Sequence, residues 1–451
     1  MFTAPRFIVV DDTLLHLKAI LDTFQKLGSP CMGIHFDPAT ELDPKHFRGV
    51  RGLFLDLHLI GGQLGTDYRR HYANIANILE NNIHADGGPF VLVIWTQYPR
   101  LRQELIDYLD ANIDAGKPHA RPLAVLDLDK ASFINLESGV PIDPALLRQA
   151  VDGAVTTNPQ LAALINWETD VLAAAGATLA ALLGLVPPAQ RLTAAFPAAL
   201  DTILSRLACA AAGPSNVATN PRAAITSALS PILADRIVNQ EITPQILELW
   251  KQAVTRHADP HLGNSGPDDA GRVNRMLHIA VQGSETIRPG DWGAVVDLPA
   301  TIWTDEGLRN QMGVTKGQLL GGEFKIEDGD RPRCRPCLVR IGAVCDHAQS
   351  RNGPITYVLG VEIPENAVRM KNKDGQDLKL SESVWRSPVL VKEGIQDPFR
   401  LYVNVRFGMN VLPNACDGWQ VRYRIREQLL MHLVSHASVY MARPGIVELR
   451  A

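Results

Sequence analysis

Cysteine is scarce in this chain, with six in 451 residues, at Cys31, Cys209, Cys334, Cys337, Cys345 and Cys416. Thiols so few and unevenly spaced exclude the dense disulfide framework of small secreted domains, and reduced cysteines are expected. Long hydrophobic runs are lacking too. The longest apolar stretch, Val171 to Val186, falls short of the ~20 residues that a membrane-spanning helix needs, and it reads as a buried helix. The opening MFTAPRFIVVDD reaches carboxylates after only the apolar run Phe7 to Val10, too short for a signal-peptide core. A cytoplasmic protein without membrane contact is therefore expected. Charge of one sign is lacking as well: the formal net charge of -4 gives no general attraction to nucleic acid. Any such contact needs a local basic patch, for which Arg331, Arg333, Arg335 and Arg340 form one candidate, and such a run reads more often as a solvated face.

What is present is globular in composition, with 46% hydrophobic and 20% charged residues. From residue 7 to about 135, short apolar runs alternate with helix-period segments: Phe7 to Val10, Met32 to Phe36, Leu53 to Leu55, Phe90 to Trp95 and Leu123 to Leu126. Continuously apolar strands suit a parallel sheet covered on both faces, so a doubly wound five-stranded α/β domain is expected over 1–138. Leu14, Leu17, Ile20, Leu21 and Phe24 mark one stripe of a helix directly after the first strand. The texture over 139–285 is Ala- and Leu-rich and broken by prolines, which predicts a helical connector. Beyond it, 286–451 has strand-like runs at Trp292 to Leu298, Leu338 to Val344, Tyr357 to Ile363, Pro388 to Lys392 and Leu401 to Phe407. These predict a β-rich domain, a small barrel or strongly bent sheet, closed by a helix over Arg424 to Met441.

The chemistry-bearing residues fall at the carboxyl ends of the first domain's runs, where open α/β sheets bind ligands: Asp11 and Asp12, Asp56, Thr96 and Lys130. Three such carboxylates, joined by the backbone carbonyl of His58, suit a hard divalent cation such as Mg²⁺. With a cation offsetting the repulsion between anions, Asp56 can serve as nucleophile toward a phosphoryl group. Thr96 would hydrogen-bond one phosphoryl oxygen, and Lys130 would hold another by a charge-assisted contact.

On the segments VVDD (9–12), LFLDLHL (53–59), VIWT (93–96) and LDLDK (126–130), the first domain resembles the receiver domains of two-component response regulators. The resemblance covers roughly residues 5 to 135. It implies a flavodoxin-like fold, phosphorylation of Asp56 by a histidine kinase or phosphotransfer protein, Mg²⁺ on Asp11 and Asp12, and a switch read by Thr96 and Lys130. Three departures stand out. The intervals from Asp56 to Thr96 and from Thr96 to Lys130 are longer than usual in the family; Ala131 replaces the usual proline; and Asp127 stands where many receivers carry a switch aromatic.

Outside this constellation, Cys334, Cys337, Cys345 and His347 offer four zinc-type ligands, but C-x2-C-x7-C-x-H is not a standard spacing and unliganded thiols are expected. Cys345, Asp346, His347 and Gln349 gather a thiol, a carboxylate, an imidazole and an amide at a strand end, although neighbours two apart on a strand do not normally hydrogen-bond each other. The Cys-Asp-x-x-Gln feature resembles one in bacterial proteins linked to phage defence; no residue role transfers with it. His432 and His436 lie four apart on the last helix and read as core or surface histidines. The favoured expectation is a signalling protein in which phosphorylation of Asp56 controls the C-terminal module, with no enzyme activity beyond that. The rival is an effector, an enzyme acting through the Cys345 region, in which a pseudo-receiver is a docking or homodimerisation surface.

Overall fold

A computed structural model describes residues 6–60, 68–85, 87–96, 101–262, 266–281, 286–343, 347, 353–392 and 397–443. The chain divides into two compact units, Met1–Glu168 with Ile242–Val254, and Thr169–Glu241 with Thr255–Ala451.

In the first unit the elements run β1 (Phe7–Asp11), α1 (Leu14–Lys26), β2 (Cys31–His35), β3 (Gly52–Asp56), α2 (Arg69–Asn82), β4 (Val91–Thr96), α3 (Arg102–Asn112), β5 (Ala124–Asp129), α4 (Pro144–Thr156) and the start of α5 (Pro159–Gly184). All five strands are parallel, in the order β2-β1-β3-β4-β5. Parallel neighbours need a crossover, and the crossovers leave helices on both faces. One face buries Val9, Phe54, Val93 and Trp95 together with Leu17 and Phe24 of α1, Leu147 of α4 and Leu161 of α5. The other buries Ile8, Val10, Leu53, Leu55, Leu92 and Ile94 under Ile75 and Leu79 of α2 and Leu105 and Leu109 of α3. Successive strand residues point to opposite faces, and both faces are covered, so the strands read as unbroken apolar runs. The link between β2 and β3 holds no α-helix, only a 3-10 turn at Pro44–Phe47 whose Phe47 plugs the core.

The second unit carries the rest of α5, then α6 (Phe196–Ala212), α7 (Pro214–Thr219) and α8 (Pro221–Val238); α9 (Pro244–Ala253) belongs to the first. The apolar stretch 171–186 lies largely in α5, but the expectation of a buried helix is corrected. Ala174, Thr178 and Leu182 are buried, whereas Leu172, Leu179 and Leu183 are exposed. A segment apolar on every side has no polar stripe to mark its solvent face, so its composition does not say which side is covered. Among the described residues, no helix is long and apolar enough to cross a membrane.

After α10 (Pro267–His278) come β6 (Ile279–Val281), β7 (Ala294–Asp297), α11 (Asp305–Met312), β8 (Arg335–Ile341), β9 (Ile355–Pro364), β10 (Val384–Arg386), β11 (Phe399–Val411), β12 (Val421–Ile425) and α12 (Glu427–Met441). The strands form one sheet, β10-β11-β9-β8-β7-β12-β6, antiparallel at every pairing, with β10 and β6 at its edges. Of the two forms expected, a small barrel or a strongly bent sheet, the described strands close no barrel; β12, five residues long and next to the final helix, inserts between β7 and β6. One face packs Leu338, Leu359 and Tyr402 with Leu308 and Phe324; the other packs Val339, Val403 and Tyr423 under Leu429, Leu430 and Leu433 of α12. The run Pro388 to Lys392 is not a strand. It contributes only a bridge of Leu390 to Phe399, and the edge strand lies earlier, at Val384–Arg386.

Candidate functional site

The strand order makes the chain leave β1 toward β2 on one side and reach β4 from β3 on the other. A crevice therefore opens between the carboxyl ends of β1 and β3, the usual ligand position in such sheets. Asp11 is the last residue of β1, Asp12 follows it, and Asp56 is the last residue of β3. Local turns fix two of these carboxylates. Asp11 accepts the Thr13 N–H at 2.8 Å, and Asp56 accepts the His58 N–H at 3.1 Å on the same kind of Asx turn. The His35 Nε2 atom lies 2.9 Å from the Asp12 carbonyl oxygen, tying the end of β2 to the same loop.

Lys130 comes from the far edge. Directly after β5 the chain tightens into a 3-10 turn, Lys130–Ser132, capped by the Asp129 side chain on the Ala131 N–H at 3.1 Å. The turn aims the Lys130 ammonium back over the sheet, where Nζ donates to Asp11 Oδ2 at 2.7 Å and to Asp56 Oδ2 at 2.5 Å. Lys130, Asp11 and Asp56 are all buried. Thr96 ends β4, the strand between Asp56 and Lys130. It is buried, pairs with Asp129, and follows Trp95, the register partner of Asp56.

The electrostatics are strained by excess negative charge. Ligand oxygens of Asp11, Asp12 and Asp56 all lie within 4.8 Å of one another, against the single ammonium of Lys130. Burial raises the pKa of Asp11 above the ordinary carboxylate value; Lys130 pulls it back and Asp56 pushes it further up. A crowded, buried, oxygen-only donor set of this kind fits a hard divalent cation, and these three residues could hold one. Among the described residues this is where such a group occurs.

The expected set is thus brought to one edge of one sheet: Asp11, Asp12, Asp56, Thr96 and Lys130, with His58 in the turn after β3. Sequence reading missed four neighbours. His71 of α2 stacks on His58 with ring centroids 4.9 Å apart, and burial lowers the basicity of both imidazoles. Phe133 stacks on Trp95 at 5.7 Å, directly beside the Lys130 turn. Arg102 of α3 pairs with Asp127 at 3.3 Å, at the position where the receiver resemblance places an aromatic. His35, in register with Asp11, was legible as a strand-end residue, whereas the His71, Phe133 and Arg102 contacts cross the fold and leave no sequence period.

The other expected clusters go elsewhere. Cys334 lies in one core of the C-terminal sheet and Cys337 in the other. Burial pushes the Cys334 thiol up to about 11 and the Cys337 thiol higher still. Cys345, Asp346 and Gln349 lie outside the described residues; His347 is half-buried, its basicity lowered by burial and by Arg340. The arginine run is not a basic patch. Arg331 pairs with Asp328, Arg333 with Asp330 and Asp397, and Arg335 approaches Glu362, while Arg340 is buried on the Ile341 carbonyl. His432 accepts the Trp385 indole N–H at 3.0 Å on Nδ1.

Comparison of the chain with protein-family models, with curated proteins and with solved structures finds no match.

Proposed function

We propose that the first unit is a flavodoxin-like receiver domain that takes a phosphoryl group on Asp56 and thereby regulates the C-terminal module. The observation that carries this reading is the bridge from Lys130 to both Asp11 and Asp56 in the crevice between β1 and β3. A buried lysine between two carboxylates at that place holds a cation where the oxygens of an incoming phosphoryl group would lie.

On this reading an Asp56 oxygen attacks the phosphorus of a phosphohistidine on a histidine kinase or phosphotransfer protein. The phosphorus–nitrogen bond breaks, its electron pair stays on the imidazole nitrogen, and that nitrogen takes up a proton. Asp11, Asp12, Asp56 and the backbone carbonyl of His58 would hold Mg²⁺, which when bound supplies the charge that offsets the repulsion between two anions. Lys130 exchanges its contact with Asp56 Oδ2 for one with a phosphoryl oxygen, and Thr96 donates its hydroxyl to another.

A second reading is favoured by one observation. With Asp127 held by Arg102, a threonine-to-aromatic movement has no aromatic partner at that position, as suits a pseudo-receiver used for docking. Incubation of the full chain with Mg²⁺ and acetyl phosphate, or with beryllofluoride, separates the two. The receiver reading expects one adduct per chain by intact mass or calorimetry, lost in Asp56→Asn and without Mg²⁺. No adduct with the wild type leaves the docking reading.

A further inference from the structure

The same unit contains a cavity that the phosphoryl chemistry does not use. It lies toward the amino-terminal ends of the strands, away from the acidic crevice, and encloses about 430 Å³. Phe7, Phe54, Val91 and Val93 form its sheet side, and Val151 of α4 with Ala162 and Ile165 of α5 line the opposite side. That volume falls within the ~300–1,000 Å³ typical of small-molecule pockets and far exceeds the packing defects normal in a core. On the helix side Ala162 carries only a methyl group; on the sheet side Gly52 lets the Phe7 ring pack close to β3, since a Cβ there would meet that ring at 2.7 Å.

Charge is confined to one end. Arg51 borders the cavity and is fully engaged, with Nε on Glu168 Oε2 at 2.7 Å, Nη2 on Glu168 Oε1 at 2.9 Å and Nη1 on the Gly87 carbonyl at 2.5 Å. Arg6 approaches the same Glu168 carboxylate and is partly exposed. Two guanidinium groups therefore share one carboxylate, which leaves one positive charge in surplus beside Arg51, the polar border of an apolar chamber; Arg6 is the chain neighbour of the lining Phe7. That complementarity selects an anionic amphiphile over either a neutral hydrocarbon or a polar anion.

We infer that this cavity is a binding site for a small amphiphile, an acyl or aryl chain inside it and a carboxylate head against Arg6. The site is independent of Asp56, so its test does not depend on the receiver reading.

Dodecanoate below its micellar concentration, titrated into the full chain by calorimetry, is expected to bind once per chain. Ala162→Phe fills the chamber and should abolish binding; Val151→Leu fills it less and should weaken binding several-fold. Arg6→Gln should weaken dodecanoate about ten-fold and leave dodecanol unchanged. Melting temperatures report packing separately: filling an open chamber holds or raises stability, whereas overpacking a closed core lowers it. Absence of dodecanoate binding to the wild type, or binding that survives Ala162→Phe in a folded variant, overturns the site. Dodecanol binding as tightly as dodecanoate overturns the assignment of the carboxylate head.

Discussion

Lys130 reaches Asp56 across an intervening strand. Its Nζ sits 2.5 Å from Asp56 Oδ2 although β4 separates β5 from β3, so the lysine stem, the hydrogen bond and the Asp56 side chain together bridge about two strand spacings, ~9.5 Å. Most of that length is apolar stem lying over the strand ends, with the charge delivered at the tip.

Replacing Lys130 by Met keeps the stem and removes the charge. Two buried carboxylates then face each other without the ammonium between them, and unfolding in denaturant should show a loss of roughly 3–5 kcal/mol at neutral pH. Mg²⁺ should restore a larger share of stability to the variant than to the wild type. Equal responses to Mg²⁺ would mean that the cation does not enter between Asp11 and Asp56.

Coupling beyond the site is read by hydrogen exchange. Beryllofluoride with Mg²⁺ is expected to change protection in residues 102–122 and in part of 140–200, because a bound ligand acts only through contacts that differ between two packings. Thr96→Ala should lose both changes while still binding Mg²⁺. Changes confined to Asp11, Asp12 and Asp56 would show a site that binds the analogue without informing the rest of the chain.

Glu168 supplies the pH dependence. Hydrogen bonds from Arg51, helped by Arg6 and opposed by burial, hold its carboxyl below the ordinary glutamate value. The unfolded chain therefore takes up this proton first as pH falls. The stability it contributes is present above the ordinary value and is lost as pH drops through it toward the folded value. Melting temperatures measured from pH 7 to pH 3 should fall less steeply in Glu168→Gln, with the two curves converging at the acid end.

Thiol chemistry tests the C-terminal sheet. Burial raises both Cys334 and Cys337, and a thiol that stays protonated is a poor nucleophile. Both should resist an aromatic disulfide reagent at neutral pH in the folded chain and react at once in guanidinium. Fast labelling of Cys337 before unfolding would contradict its burial.

Arg422 is the charge that organises one end of that sheet. It donates to Asp297 at 2.6 Å and to the Pro336 carbonyl at 2.8 Å, and it lies 3.0 Å from the buried Glu362. Arg422→Met should cost roughly 3 kcal/mol, because the buried Glu362 loses its nearer cation and is left with only Arg335, at 3.6 Å. Adding Glu362→Gln should recover part of that loss; a strictly additive double variant would show that the pair is not coupled.

The first unit was largely legible in the sequence, and the reason lies in its strands. Apolar runs covered on both faces are unambiguous, and polar residues at their ends, Asp11, Asp56, Thr96 and Lys130, stand out against them. The helix Pro144–Thr156 was harder to assign: Leu147, Ala150 and Val151 pack on the sheet's core, but in sequence they merge into the Ala- and Leu-rich helical texture that follows. In the C-terminal sheet, β6 and β12 went unread because three and five residues beside helices carry too little period to be told from helix ends. The long-range contacts of Asp127 with Arg102 and of Trp95 with Phe133 depend on the folded register and had no local signal.

The Trp95 stack has a practical outcome. The indole is buried one residue before Thr96, in register with Asp56, and its ring lies against Phe133 beside the Lys130 turn. Any rearrangement of that turn alters the indole's surroundings, so the crevice carries its own optical reporter. Trp167, half-exposed, is expected to emit further to the red, and a difference spectrum cancels the constant signal of the chain's other tryptophans. A fluorescence difference spectrum on adding beryllofluoride, absent in Trp95→Phe, would follow occupancy of the crevice in real time without a label.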